Sequence, residues 1–520
     1  MAQAIQHVLI VGGGTAGWLT AAILASEHAS HKDNGITVTL VESPDVATIG
    51  VGEGTWPTMR ETLQRIGLNE RDFLSFTQAS YKQGSKFVGW RNGSADDAYY
   101  HPFSLPEGYL DTDILPYWQM HCGSQSLADA FSGQSRLCDA DKAPKQAATP
   151  DYAGVANYGY HLDAGKFAEM LTRHCVERLG VKHIKDHIQA VEPASNGDIQ
   201  AVVTRNHGPL KADLFVDCSG LNGLLIDKHY GIEFESAHQV LFNDRAIAMQ
   251  VPYSEQDQAI ASATIATAQS AGWIWDIGLQ SRRGTGHVYS SAHMDPDQAE
   301  SALRHYVAQS VGQQQAEQLS CRHISIRPGH RKQFWHRNCV AVGMAAGFIE
   351  PLEASALALV ELSAKMLAEQ LPRDHQTMAI TAKRFNQKFL LRWQRIIEFL
   401  KLHYAISQRD DSQYWRDNRN SNSWPERLAE LLELWQRQSP SRFDFEMAEE
   451  IFPSASYFYV LYGMGFQTQI ASNARVQRQL QQAAKHYQQA QQKTQQMLAG
   501  LPGNRELLQQ ITAASMAATR

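Results

Sequence analysis

Apolar and polar residues fall in blocks along this chain, and the blocks predict its elements. An unbroken apolar run, Val8-Leu9-Ile10-Val11, leads into Gly12-Gly13-Gly14-Thr15-Ala16-Gly17 and then Trp18-Leu19-Thr20-Ala21-Ala22. A run apolar at every position marks a strand buried on both faces, so the pattern predicts strand, glycine turn and helix. A second strand is predicted over residues 36 to 41, closing on Glu42. Asp163 stands where it can cap a helix running through Phe167, Met170 and Leu171. Strands are predicted at Ile199–Thr204, over 213–220 and over 338–343, and β-like runs recur at 246–251 and 286–290. From about 372 the period changes: Phe385, Phe389, Trp393, Ile396, Ile397 and Leu400 recur at steps of three and four, the spacing of an amphipathic helix. Beyond Arg475 the chain is Gln-rich with thinly spaced apolar residues, which predicts a surface helix.

These elements predict an α/β fold. One lobe is assembled from three blocks, about 1–84, 156–230 and 331–371. The segments between them, about 85–155 and 231–330, are expected to build an inserted β-sheet, and 372–520 a mainly helical C-terminal lobe.

The glycine spacing brings in chemistry. Gly12, Gly14 and Gly17 fit the dinucleotide fingerprint: one for a tight turn, one for backbone approach to a pyrophosphate, one for close helix–strand packing. Free N–H groups at the helix start, with Thr15 and Ala16, face the phosphates, and Glu42 can bind ribose hydroxyls. A lobe of this kind holds FAD or NAD equally well. A second glycine-rich loop, Gly50-Val51-Gly52-Glu53-Gly54, can bring backbone against a planar ring. The third block continues from Gly343 through Gly347 to Glu350-Pro351-Leu352-Glu353-Ala354-Ser355-Ala356, where a helix start would attract a small anion.

Composition narrows the class. The chain has 520 residues, 43% hydrophobic and 19% charged, as in ordinary globular enzymes. A net charge of -6 without a dense basic run argues against a nucleic-acid partner. Eleven tryptophans suit a protein that handles flat aromatic molecules. The six cysteines are scattered, with no CxxC pair and no metal-ligand spacing, so no metal site is expected. No apolar run is long enough to span a membrane, and the first strand begins almost at residue 1. The expected setting is reduced and cytoplasmic.

The chain resembles the flavin-dependent halogenases of the tryptophan-halogenase type from end to end. The resemblance is carried by Gly12-Gly13-Gly14-Thr15-Ala16-Gly17-Trp18, the Gly50-Val51-Gly52-Glu53 loop and Lys82-Gln83-Gly84-Ser85-Lys86-Phe87. It continues in Gly272-Trp273-Ile274-Trp275-Asp276-Ile277, Gly284-Thr285-Gly286-His287-Val288-Tyr289-Ser290-Ser291, and Asn338 through Ser355. It implies an FAD-binding, Rossmann-like lobe of the GR2 type. It also implies a two-step oxidation: reduced FAD, from a separate NAD(P)H-dependent flavin reductase, reacts with oxygen, and bound chloride or bromide becomes hypohalous acid. That oxidant reaches a lysine beside an electron-rich aromatic substrate, indole or tryptophan-like, which takes the halogen. A homodimer stays open.

The family lysine falls on Lys82, the family glutamate on Glu353, and the halide-binding N–H groups on Ser355 and Ala356. If the Lys82 stretch is helical, Lys82 and Lys86 share a face and exposure is the alternative. Gly343, Gly347 and Pro351 fall in the flavin-contacting phrase. Trp273 and Trp275 match a W-x-W-x-I-P motif that walls substrate from flavin. His101 and Phe103, and the cluster Tyr457-Phe458-Tyr459, fall where the family places aromatic contacts. The chain departs from the family at Gly278, where proline is expected, and at Ala354-Ser355, against the common Ser-Thr. A flavin monooxygenase on the same fold and a non-catalytic flavin-binding protein remain as alternatives. Halogenation predicts that the Lys82 amine and the Glu353 carboxylate converge on one cavity.

Overall fold

The computed structural model describes residues 4–46, 52–446 and 450–518. The chain forms two compact units, one of Met1–Gln78, Leu162–Ala237 and Arg327–Gln394, the other of Ala79–His161, His238–Ile326 and Arg395–Arg520. Residues after Gln394 therefore group with the inserted sheet, and the boundary drawn at 372 becomes the approach to a helix, His375–Ala405. The physical reason lies in that helix's apolar face. Phe385 and Trp393 pack on Trp335 and Phe334 of the first unit, while Phe399 stacks on Phe452 of the second.

The first unit is built on a six-stranded sheet in the order Trp335–His336, Cys339–Ala341, Leu214–Asp217, His7–Val11, Thr37–Glu42, Lys182–Lys185. All pairs are parallel except the edge pair of Trp335–His336 with Cys339–Ala341. Val8, Leu9 and Ile10 are fully buried, as are Val38, Leu40, Phe215 and Val216. Burial on both faces explains why these strands read as continuous apolar runs. The helix Thr15–Glu27 packs against Ala164–Glu177 and Ser355–Glu369. Asp163 caps Ala164–Glu177 by accepting from the Lys166 N–H at 3.1 Å. Ile199–Thr204 forms a strand where predicted, but in a separate antiparallel sheet with Ile188–Pro193 and Gly208–Lys211. The strand order reverses at His7–Val11, so its carboxyl end opens between two neighbours, the place where such sheets bind ligands.

The second unit carries a seven-stranded sheet: Cys321–Ser325, Arg245–Pro252, Arg282–Tyr289, Gly272–Gly278, Thr264–Gln269, Gly84–Val88, Ala98–Pro102. Its pairs are antiparallel except Thr264–Gln269 with Gly84–Val88. Successive residues of Gly272–Gly278 serve opposite faces. Ile274 packs with Ile247, Met249 and Val251 under Leu303 and Val307 of the helix Pro296–Val311. Trp273 turns the other way, 6.4 Å from the ring of Trp90, which packs edge-on against Trp415.

The C-terminal tail is the expected surface helix, largely exposed, with one narrow stripe that packs on its neighbours. Ala474–Gly500 packs against the helices Leu115–His121, Leu127–Phe131 and Gln134–Asp139. Val476, Ala483 and Ala490 are buried at seven-residue steps. Small side chains let the helices approach closely: a Cβ on Gly133 would lie 1.8 Å from Thr494 Oγ1. No helix among the described residues is long and apolar enough to cross a membrane.

Candidate functional site

In the first unit the glycine turn does what its spacing demands. Gly12 adopts φ +115, and a Cβ there would meet the Cys218 carbonyl oxygen at 2.2 Å, so the turn is closed to any side chain. A Cβ on Gly17 would meet the Gly12 carbonyl oxygen at 1.9 Å, which lets the helix seat on the turn. Gly14 differs. It is the N-cap of Thr15–Glu27, and nothing lies within 4 Å of its would-be Cβ.

That open side belongs to a cavity of about 460 Å³. Gly12, Gly14, Thr15, Ala16 and Glu42 line it at the ends of the first two strands. Glu53, Gly343 and Gly347 line it further along, and Ser355 and Ala356 line it at the start of the helix Ser355–Glu369. The first N–H groups of that helix have no intrahelical acceptor, so two helix N-termini face one cavity with partial positive charge. Glu42 accepts from or pairs with His183 Nε2 at 2.7 Å. Burial pushes the Glu53 carboxyl up to about 7. Gly343, at φ +68, sits with its would-be Cβ 2.7 Å from Ala16 Cβ, joining the third block to the first helix.

Several expected residues stand elsewhere. Gly17, Gly52 and Pro351 do not line the cavity; Gly17 faces the turn, and Gly52 is buried in the strand Gly52–Gly54. Gly50 and Val51 lie outside the described residues. Glu353 is buried just ahead of the helix, and its carbonyl accepts from the Trp56 indole N–H at 2.7 Å. Ala354, its neighbour, takes the left-handed conformation (φ 53, ψ 39) at the N-cap of Ser355–Glu369. Such a conformation is costly for alanine and turns the chain sharply between Glu353 and the anion-attracting N–H groups.

The sequence reading missed Asp186 and His187, which also line the cavity. Asp186 accepts from the backbone N–H groups of His187, Asn206 and His207. These bonds and His207 hold its carboxyl well below the usual range, against the opposing effect of burial. Its only signal was position, just beyond a strand that pairs with Thr37–Glu42. Cys218 and Ser219 were missed too, although the run over 213–220 was read as a strand ending in glycine.

In the second unit Lys82 is 1% exposed, at the end of a short strand, Ser80–Lys82. The stretch is not helical. The Gln83-Gly84 step separates Lys82 from Lys86, which lies on the next strand and pairs with Asp139 at 2.7 Å. A Cβ on Gly84 would lie 2.5 Å from the His101 carbonyl oxygen, so glycine permits this crossing. The Gln83 N–H donates to the Ser262 carbonyl at 2.7 Å and its carbonyl accepts from the Phe103 N–H at 3.0 Å. The Lys82 ammonium then stands 5.3 Å from the centroid of the Phe103 ring, within cation–π range. His101 is buried among the rings of Phe399, Phe452 and Tyr459 at 5.6–6.4 Å. Tyr457, Phe458 and Tyr459 are all buried on the helix Ser454–Gly463.

Trp273 and Trp275 lie two residues apart on one strand, ring centroids 6.4 Å apart and edge to face. A Cβ on Gly286, directly across the ladder from Trp275, would sit 2.2 Å from the indole, so that glycine makes room for the ring. Asp276 is held by Arg283 at 2.7 Å. Among the described residues no group of His, Cys, Asp and Glu could hold a metal ion.

The family model for tryptophan halogenase matches residues 7–479. The 7-chloro-L-tryptophan 6-halogenase of Kutzneria sp. (strain 744) is 34% identical over 479 residues, covering 88% of this chain and 90% of its own. The tryptophan 6-halogenase of Streptomyces toxytricini is 33% identical over 481 residues, covering 88% and 89%. The crystal structure of a tryptophan halogenase from Shewanella frigidimarina NCIMB 400 is similar at a TM-score of 0.95 and 48% identity, over 98% of each chain. The chain belongs to the tryptophan halogenase family, and it is a flavin-dependent halogenase.

Proposed function

We propose that this enzyme halogenates tryptophan or another electron-rich indole, using chloride or bromide and reduced FAD delivered by a separate NAD(P)H-dependent reductase. The reading of the substrate is supported by the relatives, several of which are named for tryptophan. The residues present suit FAD: an open Gly14 at a helix N-terminus for the pyrophosphate, Glu42 for ribose, and a cavity continuing to a second helix N-terminus. Bound reduced FAD supplies, with oxygen, the oxidising equivalents that convert halide to hypohalous acid. Backbone N–H groups of Ser355 and Ala356 hold the halide. Trp273 and Trp275 keep substrate and cofactor chambers apart, and His101 and Phe103 stack the aromatic ring.

Lys82 presents the electrophilic halogen to the ring carbon, and Glu353 accepts the proton that carbon releases. The observation carrying this reading is the burial of Lys82 beside Phe103, because an exposed lysine would lose the oxidant to water. The assignment requires Lys82 and Glu353 to serve the same reaction. An aromatic library, incubated with flavin reductase, oxygen and bromide, is read by mass spectrometry for the bromine isotope pair. Lys82→Ala should abolish brominated product while flavin oxidation and peroxide release continue. Parental bromination by Lys82→Ala removes Lys82 from the mechanism.

A further inference from the structure

Lys82 and His161 share one face of an antiparallel ladder. In the pairing of Ser80–Lys82 with Gly159–Asp163, Ser80 lies opposite His161 and Lys82 opposite Gly159. Residues directly across a ladder, and those two along from them, point to the same side. His161 is thus the diagonal neighbour of Lys82, and Gly159 leaves the place directly opposite Lys82 without a side chain. Diagonal neighbours stand ~7–8 Å apart, within reach of a lysine chain.

His161 is fully buried, with Nε2 2.8 Å from Thr264 Oγ1. Its Nδ1 is also buried and has no hydrogen-bond partner among the described residues. Burial, reinforced by the nearby Lys82 charge, holds the imidazole well below its usual pKa, so it stays neutral. Beside a cation the tautomer presenting a lone pair is the lower in energy. In the tautomer whose Nε2–H donates to Thr264, Nδ1 is left as a buried acceptor on a residue that shares the Lys82 face of the ladder.

We propose that His161 is a positioning residue for Lys82: an imidazole anchored by Thr264 whose Nδ1 lone pair steadies the Lys82 amine in the orientation that presents halogen to the substrate. This rests on the reading of Lys82 as the halogen-presenting group. No strand or glycine signal pointed to it; only the register across the ladder brings the two side chains together.

The test compares His161→Leu, His161→Asn and Thr264→Val as FAD-loaded enzymes with reductase and bromide. Asparagine keeps an acceptor at the Nδ1 position; Thr264→Val keeps the imidazole and removes its anchor. The expected result is a loss of about tenfold in bromination kcat for His161→Leu. Aromatic KM, flavin oxidation and peroxide release should be unchanged, so product per flavin oxidised falls. His161→Asn should recover most of that loss, and Thr264→Val should fall between. If His161→Leu does not fold, the other two still decide. Parental kcat in Thr264→Val overturns the proposal by itself, and so does parental kcat in His161→Leu or, where that variant folds, no advantage of His161→Asn over it. Lys82→Ala run alongside separates the two claims. If it is inactive while His161→Leu keeps full kcat, only the role of His161 is lost; if it is active, the reading of Lys82 falls first.

Discussion

Replacing Gly14 by alanine should separate cofactor binding from folding. Gly14 has φ -74 and ψ 179, which alanine adopts without strain, and an added methyl meets nothing within 4 Å. The cost to the cofactor-free protein is the poorer N-cap preference of alanine, below about 1 kcal/mol. On the proposed placement of FAD, the methyl stands in the space through which backbone N–H groups would reach the pyrophosphate. Charge-assisted hydrogen bonds contribute ~1.5–3 kcal/mol each, so losing one weakens FAD binding about tenfold to a hundredfold. Gly12→Ala is the contrast. There φ is +115 and the methyl lands 2.2 Å from a backbone oxygen. Left-handed strain of ~1–2 kcal/mol adds to overpacking of ~1–3 kcal/mol. That is a large part of the ~5–15 kcal/mol that holds a domain together. Thermal melts of cofactor-free protein and FAD titrations by flavin fluorescence read both effects. Gly12→Ala should melt well below the parent, and Gly14→Ala should melt close to it while binding FAD weakly. Parental FAD affinity in Gly14→Ala would refute the placement of the pyrophosphate. A melting temperature as low as that of Gly12→Ala would refute the steric argument.

Three further outcomes follow from buried features. Burial raises Glu361 from 4.5 to about 8, partly opposed by the Thr62 hydroxyl. The folded state therefore binds a proton more tightly than the unfolded chain, and stability is lost as pH rises from about 4.5 to about 8. Glu361→Gln should flatten that slope and, near pH 9, exceed the parent by on the order of a few kcal/mol, measured as melting temperature against pH. Gly286→Val places a side chain into the Trp275 indole and should cost ~1–3 kcal/mol, with a shift in tryptophan fluorescence; denaturant midpoints equal to the parent's would count against the packing described. Ala354→Gly relieves the left-handed residue at φ 53 and should stabilise the protein by up to about 1 kcal/mol in urea unfolding, with destabilisation as the contrary result.

What was legible in the sequence depended on how far apart the cooperating residues lay. Gly12, Gly14 and Gly17 act within one turn, so their spacing carried their geometry. Strands such as Val8 to Val11 announced themselves because burial on both faces leaves no room for a polar residue. Asp186 and His187 reach the same cavity only because Lys182–Lys185 pairs with Thr37–Glu42, and no local pattern records that pairing. The tail after Arg475 is the surface helix its composition announced, but its packing stripe was hidden, because Ala483 and Ala490 are small and only weakly apolar. Lys82 and Lys86, four apart, would share a face only in a helix; the Gln83-Gly84 step puts them on separate strands.

The departure at Gly278 shows how structure recovers what a motif comparison leaves open. The Ser80 hydroxyl donates to the Gly278 carbonyl at 2.5 Å, tying the strand of Lys82 to the end of the tryptophan strand. Ser80 lies on the same face as Lys82, so this tie helps set where the lysine stands. The acceptor is a carbonyl, which proline carries as well as glycine, so the exchange preserves the tie. What changes is space. A Cβ at this position would lie 2.9 Å from Ile260 Cγ2 and 3.1 Å from the Tyr253 hydroxyl, so these two side chains occupy the room a ring would need. The tryptophan strand therefore ends against Ile260 and Tyr253 instead of against a proline, and the link that positions Lys82 does not depend on which residue stands there.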